Sequence, residues 1–380
     1  MKKLILSVLA IAALVSCSKF ETTYEQENEI GFAPASKNIT KAAMSGEMPA
    51  TQNLSIWAFW NGVDGSVENP VEDYADYTDQ YLNNAEFENR SGANWGGANN
   101  TKYPWPTNGA LVFAGYNRPK GTTTTTGDGE NQTTIYTPAE LAASYNYTNN
   151  TMTFTGYSQS NDIANTFDLC WFGRTSASYN NRNSGDAVTV TLNHALTWIT
   201  IKVRGDQSVI DNWTITSMTL QDVYTTATGV CSTNTETNDD GTTTTNHTAS
   251  WSDYDEDSKE NFNIGAHEMV IKTNALTYET TKVVNGNAEP LNGIVVIPQV
   301  PVNLYVEYKY TVAGNVKTGN TTVPLTLTNT KDENNNNNTT IAKWESGKHY
   351  TYTLVFKANE ILVAPNYGAW TDVNNTVTVE

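Results

Sequence analysis

The run from Ala187 to Gly205, AVTVTLNHALTWITIKVRG, leaves this chain little choice of fold. Val188, Val190, Leu192, His194, Leu196 and Trp198 alternate with Thr189, Thr191, Asn193, Ala195 and Thr197. A period of two sends successive side chains to opposite faces of a β-strand. After Trp198 the apolar phase shifts by one residue onto Ile199, Ile201 and Val203, which predicts a bulge or bend and, just beyond it near Gly205, a domain boundary.

The same period recurs along the chain. In NLSIWAFW, Leu54, Ile56, Ala58 and Trp60 share one face while Trp57 and Phe59 take the other, as in a strand covered on both sides. GALVFAGY repeats the type, with Val112 and Ala114 opposing Leu111 and Phe113. In VNLYVEYKYTV, the apolar face is Val302, Leu304, Val306, Tyr308, Tyr310 and Val312, and Asn303, Glu307 and Lys309 point outward. NWTITSMTL, NGIVVIP, VPLTLT and HYTYTLVFKA read as further strands. Charged residues make up only 16% of the chain, and the abundance of Thr, Asn, Ser, Gly and Tyr favours strands and turns. One short stretch, TPAELAASY, has helix signals: Thr137-Pro138 at its start and Glu140 in the first turn. Polar low-complexity loops such as GTTTTTGDGENQTT and DENNNNNTT separate the strands. A chain of 380 residues exceeds what one core usually supports. The expected architecture is all-β, two β-sandwiches in tandem, over residues 42–205 and 206–380.

The N-terminus reads as an export signal over residues 1–16. Lys2 and Lys3 supply its positive start, and Leu4 to Val15 its apolar run, which is too short to span a bilayer. The signal closes on Leu14-Val15-Ser16-Cys17, which resembles the lipobox of bacterial lipoproteins, so Cys17 is the expected lipidation site and the anchor to the outer membrane. No later apolar stretch approaches twenty residues. A net charge of −18 argues against nucleic acid as a partner and against electrostatic attachment to anionic lipid.

Chemical motifs are sparse. His267-Glu268 begins like a zinc-protease helix, but Ile271 stands where the second histidine belongs. Asp253, Asp255 and Asp257 have the spacing that opens a calcium loop, but Ser258 replaces the turn glycine and Ile264 the bidentate glutamate, so a solvated loop is expected. His194 lies on an apolar strand face and is read as a core histidine bonded to backbone. Cys170, in FDLCWF, is read as a buried thiol rather than a partner for Cys231. The chain has 10 Trp and 20 Tyr, which could furnish sugar-binding platforms or simply fill the core. There is no G-x-S-x-G elbow, phosphate loop or C-x-x-C pair, so the expectation is a non-enzyme without cofactor or metal.

The order of landmarks carries more. A lipobox is followed by NEIGFAP, SKNITKAA, LSIWAFW, YPWPTNGALVFAGY, LNHALTWITIKV, ITSMTLQDV, and a closing WESGKHYTYTLVF with AWTDV. This resembles the fimbrillin family, the subunits of type V pili in Bacteroidales, along essentially the whole chain. The resemblance implies transthyretin-like sandwiches and surface assembly after a trypsin-like protease cuts the loop following the first strand. Here that cut maps to Lys41, with Lys37 the second choice, which makes residues 17–41 a lipid-anchored pro-segment. The strand so removed would carry Ile30 and Phe32, which alternate with Gly31 and Ala33. Its departure would open an apolar groove with unpaired backbone groups, the kind of edge that recruits a strand. The C-terminal tail has candidates for that strand in Ile361, Val363, Val373, Val377 and Val379. Insertion into a neighbouring subunit would propagate head to tail. The competing expectation is a tethered surface lipoprotein that binds glycans through exposed aromatics.

Overall fold

A computed structural model describes residues 29–36, 48, 52–61, 79–91, 94–106, 109–126, 133–137, 141–162, 166–178, 187–205, 213–237, 242–264, 269–270, 276–279, 281–284, 287–290, 294–326, 341–356 and 361–369. The chain is all-β, as its periodicity predicts. The first strands in order are β1 (Gly31–Ser36), β2 (Gln52–Trp60), β3 (Asp79–Ser91), β4 (Asn94–Gly97), β5 (Ala110–Pro119), β6 (Thr122–Thr126), β7 (Thr133–Thr137), β8 (Ala143–Asn146), β9 (Thr151–Ser158), β10 (Cys170–Ser178), β11 (Ala187–His194) and β12 (Thr197–Gly205). There follow β13 (Trp213–Tyr224), β14 (Thr226–Thr237), β15 (Thr243–Ser252), β16 (Lys259–Asn263), β17 (Met269–Val270), β18 (Leu276–Glu279), β19 (Thr281–Val284) and β20 (Asn287–Pro290). The last are β21 (Ile294–Val296), β22 (Asn303–Val312), β23 (Asn315–Pro324), β24 (Lys348–Phe356) and β25 (Ile361–Ala369).

The N-terminal strands form a closed barrel in the order β1-β11-β10-β5-β2-β3-β4, with β4 returning to β1. Its core gathers Phe32, Ile56, Phe87, Trp95, Phe113 and Phe172 with the inward row Val188, Val190 and Leu192 of β11. The C-terminal strands form two sheets, β18-β12-β24-β25 with β21 alongside β12, and β16-β13-β22-β23 with β17 alongside β13. Between them lie Ile199, Ile201 and Val203 from one sheet and Ile215, Met218, Leu220, Leu304 and Val306 from the other. That is the two-faced core of a sandwich. A fourth sheet, β15-β14-β9-β8, takes two strands from each half of the sequence. It covers a third cluster containing Trp57, Tyr116, Phe154, Trp171, Trp198, Trp251 and Ile297.

That junction cluster changes three expectations. First, β12 does not stay with the strands before it: it pairs in parallel with β24 from Trp198↔His349 to Gly205↔Phe356, so the chain leaves the barrel between His194 and Thr197, ahead of the boundary read near Gly205. Second, the apolar phase shift at Trp198 comes from burial on both faces. Trp198 faces the junction cluster while Ile199, Ile201 and Val203 face the sandwich core; the expected bend is present at Leu196, between β11 and β12, and β12 shifts register against β18 between Val203 and Arg204. Third, TPAELAASY forms no helix among its described residues: Thr137 ends β7, and Ala143, Ser144 and Tyr145 enter β8, where Ala143 pairs with Phe154 and Tyr145 with Met152. Pairing and burial override a weak local helix signal. The junction is stitched by polar bonds too. Trp251 Nε1 donates to the Ala195 carbonyl at 2.8 Å, and Ser346 Oγ reaches the Ala195 and Ala249 carbonyls at 2.8 Å each.

Candidate functional site

The seam of the barrel is where one strand could leave. β1 lies parallel to β11 over six residue pairs, from Gly31↔Ala187 to Ser36↔Leu192. Toward β4 it makes a single pair, Phe32↔Trp95. The ladder on that second edge is therefore a single rung. Pro34 subtracts a further backbone donor from its middle. Side-chain burial offsets this. Phe32 is wholly buried, with its ring edge-on to Phe87 at 4.9 Å and to Phe113 at 5.2 Å, both at 88°. Ile30, one residue ahead of the strand, is buried as well. Burying two such side chains is worth about 3–6 kcal/mol, a large share of a domain's stability.

The chain ahead of β1 is fastened to the segment around Tyr103. Ile30 N–H donates to the Tyr103 carbonyl at 2.8 Å, and Glu29 bridges to Pro104. The Glu29 carboxylate meets Arg90 Nη1 at 2.9 Å and Lys102 Nζ at 3.3 Å. Arg90 also donates to the Gly97 carbonyl at 3.0 Å, tying this clamp to β4. Tyr81 donates its hydroxyl to the Pro104 carbonyl at 2.7 Å, and the Tyr103 ring packs on Phe87 at 5.1 Å. Burial pushes the Tyr81 and Tyr103 phenols above their ordinary pKa, and the Glu86 carboxylate adds to the shift at Tyr103. Both remain neutral hydrogen-bonding groups at physiological pH.

The predicted site residues fall into three groups. Ile30 and Phe32 come together in the β1 slot. Ile361 and Val363 lie on β25, an edge strand paired antiparallel to β24 over nine positions, with Ile361 opposite Phe356 and Val363 opposite Leu354. Cys17, Lys37, Lys41, Val373, Val377 and Val379 lie outside the described residues. Lys37 directly follows the last residue of β1. Sequence reasoning missed the Glu29–Arg90 clamp and the Phe32↔Trp95 closure, because nothing local in GFAPAS or NWGG says that the two segments meet.

A second feature is a polar groove of about 680 Å³ bordered by Asn150, Arg174, Thr189, Thr191, Thr233 and His247. Arg174 is already committed there, stacking 4.7 Å over Tyr147 and donating to the Tyr147 carbonyl. Every Trp among the described residues is buried or half-buried. Asp255, in the acidic run, caps the short helical turn that follows by accepting from Asp257 N–H at 3.0 Å.

No family model matches the chain, and no curated protein matches it. Among solved structures it is similar to a fimbrial protein of Bacteroides vulgatus, at 15% identity and a TM-score of 0.45, over 90% of this chain and all of that one. It is also similar to the tip fimbrial protein Mfa3 of Porphyromonas gingivalis with a C-terminal truncation, at 9% identity and a TM-score of 0.33, over 90% of this chain and all of that one.

Proposed function

We propose that this chain is a structural subunit, stalk or tip, of a pilus-type surface fibre, exported as a lipoprotein through Cys17 and assembled by exchange of the strand at the β1 slot. The observation that carries this reading is the position of β1: it closes the barrel, it and the residue ahead of it bury Phe32 and Ile30 in the core, and its ladder to one of its two neighbours is a single residue pair. Cutting the chain after Lys41, or after Lys37, breaks the covalent link between β1 and β2. The strand is then held without a covalent link, by the β11 ladder, the single pair to β4, the Glu29 clamp and its buried side chains, and the lipid at Cys17 departs with it.

The emptied slot presents the β11 edge and a cavity shaped for a large apolar side chain, which a strand from a second copy fills. We assign the donor to the terminal stretch carrying Val373, Val377 and Val379. Ile361 and Val363 form its base, because β25 is already fully paired to β24 and would have to abandon nine pairs to donate itself. Head-to-tail contact of this kind does not close, so it grows as a filament. The partners are therefore further copies of the chain or related subunits, with a trypsin-like protease as the trigger. The tethered glycan-binding alternative draws less support, since each Trp and Tyr of described burial is buried or half-buried.

The test is limited trypsin digestion of the purified chain, with the cut site read by N-terminal mass analysis. Cleavage at Lys41 or Lys37 is expected to yield ladders of multimers on unboiled gels, and a Lys37→Ala, Lys41→Ala variant is expected to stay monomeric. A fully cut protein that remains monomeric would overturn the reading.

A further inference from the structure

β10 and β11 are paired antiparallel with Cys170 directly opposite His194. Directly opposed residues on one face place their side chains within contact range, and Asp168, two residues before Cys170, returns to the same side. All three are buried: Cys170 is 0% exposed, Asp168 4% and His194 9%. Cys170 Sγ lies 3.3 Å from His194 Nδ1, and Asp168 Oδ2 lies 3.0 Å from that same nitrogen. The three donor atoms all fall within 4.8 Å of one another.

The shared nitrogen decides what this trio can do. A nucleophile–base–carboxylate relay uses the two ring nitrogens for two different partners, whereas here thiol and carboxylate address one atom. Nδ1 carries at most one proton, which serves the carboxylate, while the thiol has its own S–H to place on that carboxylate; sulfur, nitrogen and oxygen therefore crowd one point from three directions. A cation at the point where sulfur, nitrogen and oxygen converge serves all three.

We propose that Asp168, Cys170 and His194 form a buried zinc-class site, binding a divalent ion through a carboxylate oxygen, a thiolate and Nδ1. Zinc bonds of about 2.0–2.3 Å in tetrahedral geometry set ligand–ligand edges of about 3.3 Å for N–O and about 3.5 Å for S–N. The sulfur–nitrogen and nitrogen–oxygen separations need to open by only a few tenths of an ångström, and the sulfur and oxygen lie within 4.8 Å of each other. The charges match as well. The thiol gives its proton to solvent on binding, so thiolate and carboxylate together bring two negative charges, and a dication leaves the apolar core neutral. The mixed sulfur and nitrogen donor set favours zinc over calcium or magnesium.

Asn117 acts as the positioning residue. Its Nδ2 donates to the Asp168 carbonyl at 2.8 Å, and its Oδ1 accepts from the Cys170 N–H at 2.6 Å, so one side chain fixes the backbone that presents two of the ligands. The site ties the start of β10 to the end of β11, where the chain crosses from barrel to sandwich. It is independent of the strand-exchange reading.

The test unfolds the purified full-length chain in chelator and refolds it with and without equimolar zinc, then counts bound metal after gel filtration. The wild type and Cys231→Ser are expected to retain about one zinc per chain. Cys170→Ser and His194→Gln are expected to retain none, and Asn117→Ala to bind at least tenfold more weakly. Cobalt in place of zinc is expected to give a thiolate-to-metal charge-transfer band in the wild type, a readout that stands even if a variant fails to refold. Folded wild-type protein without stoichiometric zinc or without that band, or a Cys170→Ser variant that holds zinc as well as the wild type, would overturn the proposal.

Discussion

Phe32 has two aromatic neighbours meeting its ring edge-on, so truncating it loses burial, ring–ring contact and packing together. Phe32→Ala in the intact chain is expected to cost about 3–5 kcal/mol, measured from urea unfolding. A loss under about 1 kcal/mol would show that the slot collapses around the gap. His349 offers a residue-level test of another kind. It stacks on Trp198 at 3.6 Å and 10°, and its Nε2 lies 2.9 Å from Thr200 Oγ1. Burial first, and the nearby Lys202 charge second, hold its pKa down to about 4. The unfolded chain titrates this group near ~6.5, so between those values the unfolded state binds a proton that the folded state refuses. The histidine's contribution is intact above pH 6.5 and is lost as pH falls toward 4. Thermal midpoints are expected to drop across that window, and His349→Asn is expected to flatten the drop. An unchanged slope in the variant would assign the pH dependence elsewhere.

At the scale of elements, β1 should be exchangeable once the loop after it is cut. A labelled peptide spanning Glu29–Ser36, added in excess to cleaved protein, is expected to bind with rising fluorescence anisotropy, and the same peptide carrying Phe32→Ala is expected to fail. Equal binding by both peptides would place the affinity in the backbone ladder instead. Much of this element was legible beforehand: the large residues Ile30 and Phe32, separated by one small residue, announce a strand with an inward face. Its neighbours were not. β1 and β11 are about 150 residues apart in sequence, and alternation tells a strand which face is apolar but not which strand lies beside it. The same blindness hid the ligand trio. His194 and Cys170 each read as core residues, and only the pairing register sets them opposite one another. β22 was transparent for the converse reason: Leu304 and Val306 are buried while Glu307 is exposed, so its own sequence determines its facing.

The whole molecule is organised by its junction. Because β14 and β15 join a sheet with β8 and β9, and β12 joins one with β24, neither half of the sequence holds all the strands of the sheets it contributes to. A fragment ending at Gly205 is expected to be unfolded or aggregated, since β12 would expose Ile199, Ile201 and Val203 without a facing sheet. The intact chain should therefore melt in one calorimetric transition, and two well-separated transitions would mean that the shared cluster couples the halves only weakly. Length and strand style pointed to two units. They did not reveal the interleaving, because Trp198 and Trp251 look like any other core aromatic until their partners are known.

The parallel ladder between β1 and β11 also has a mechanical meaning. A strand gripped along its length by six consecutive pairs, and drawn along its own axis, loads all of those rungs together, whereas a strand lifted from one end loses them one by one. Phe32, seated across that axis between Phe87 and Phe113, acts as a detent against sliding. A chain seated in this slot therefore resists a lengthwise tug far better than a sideways peel.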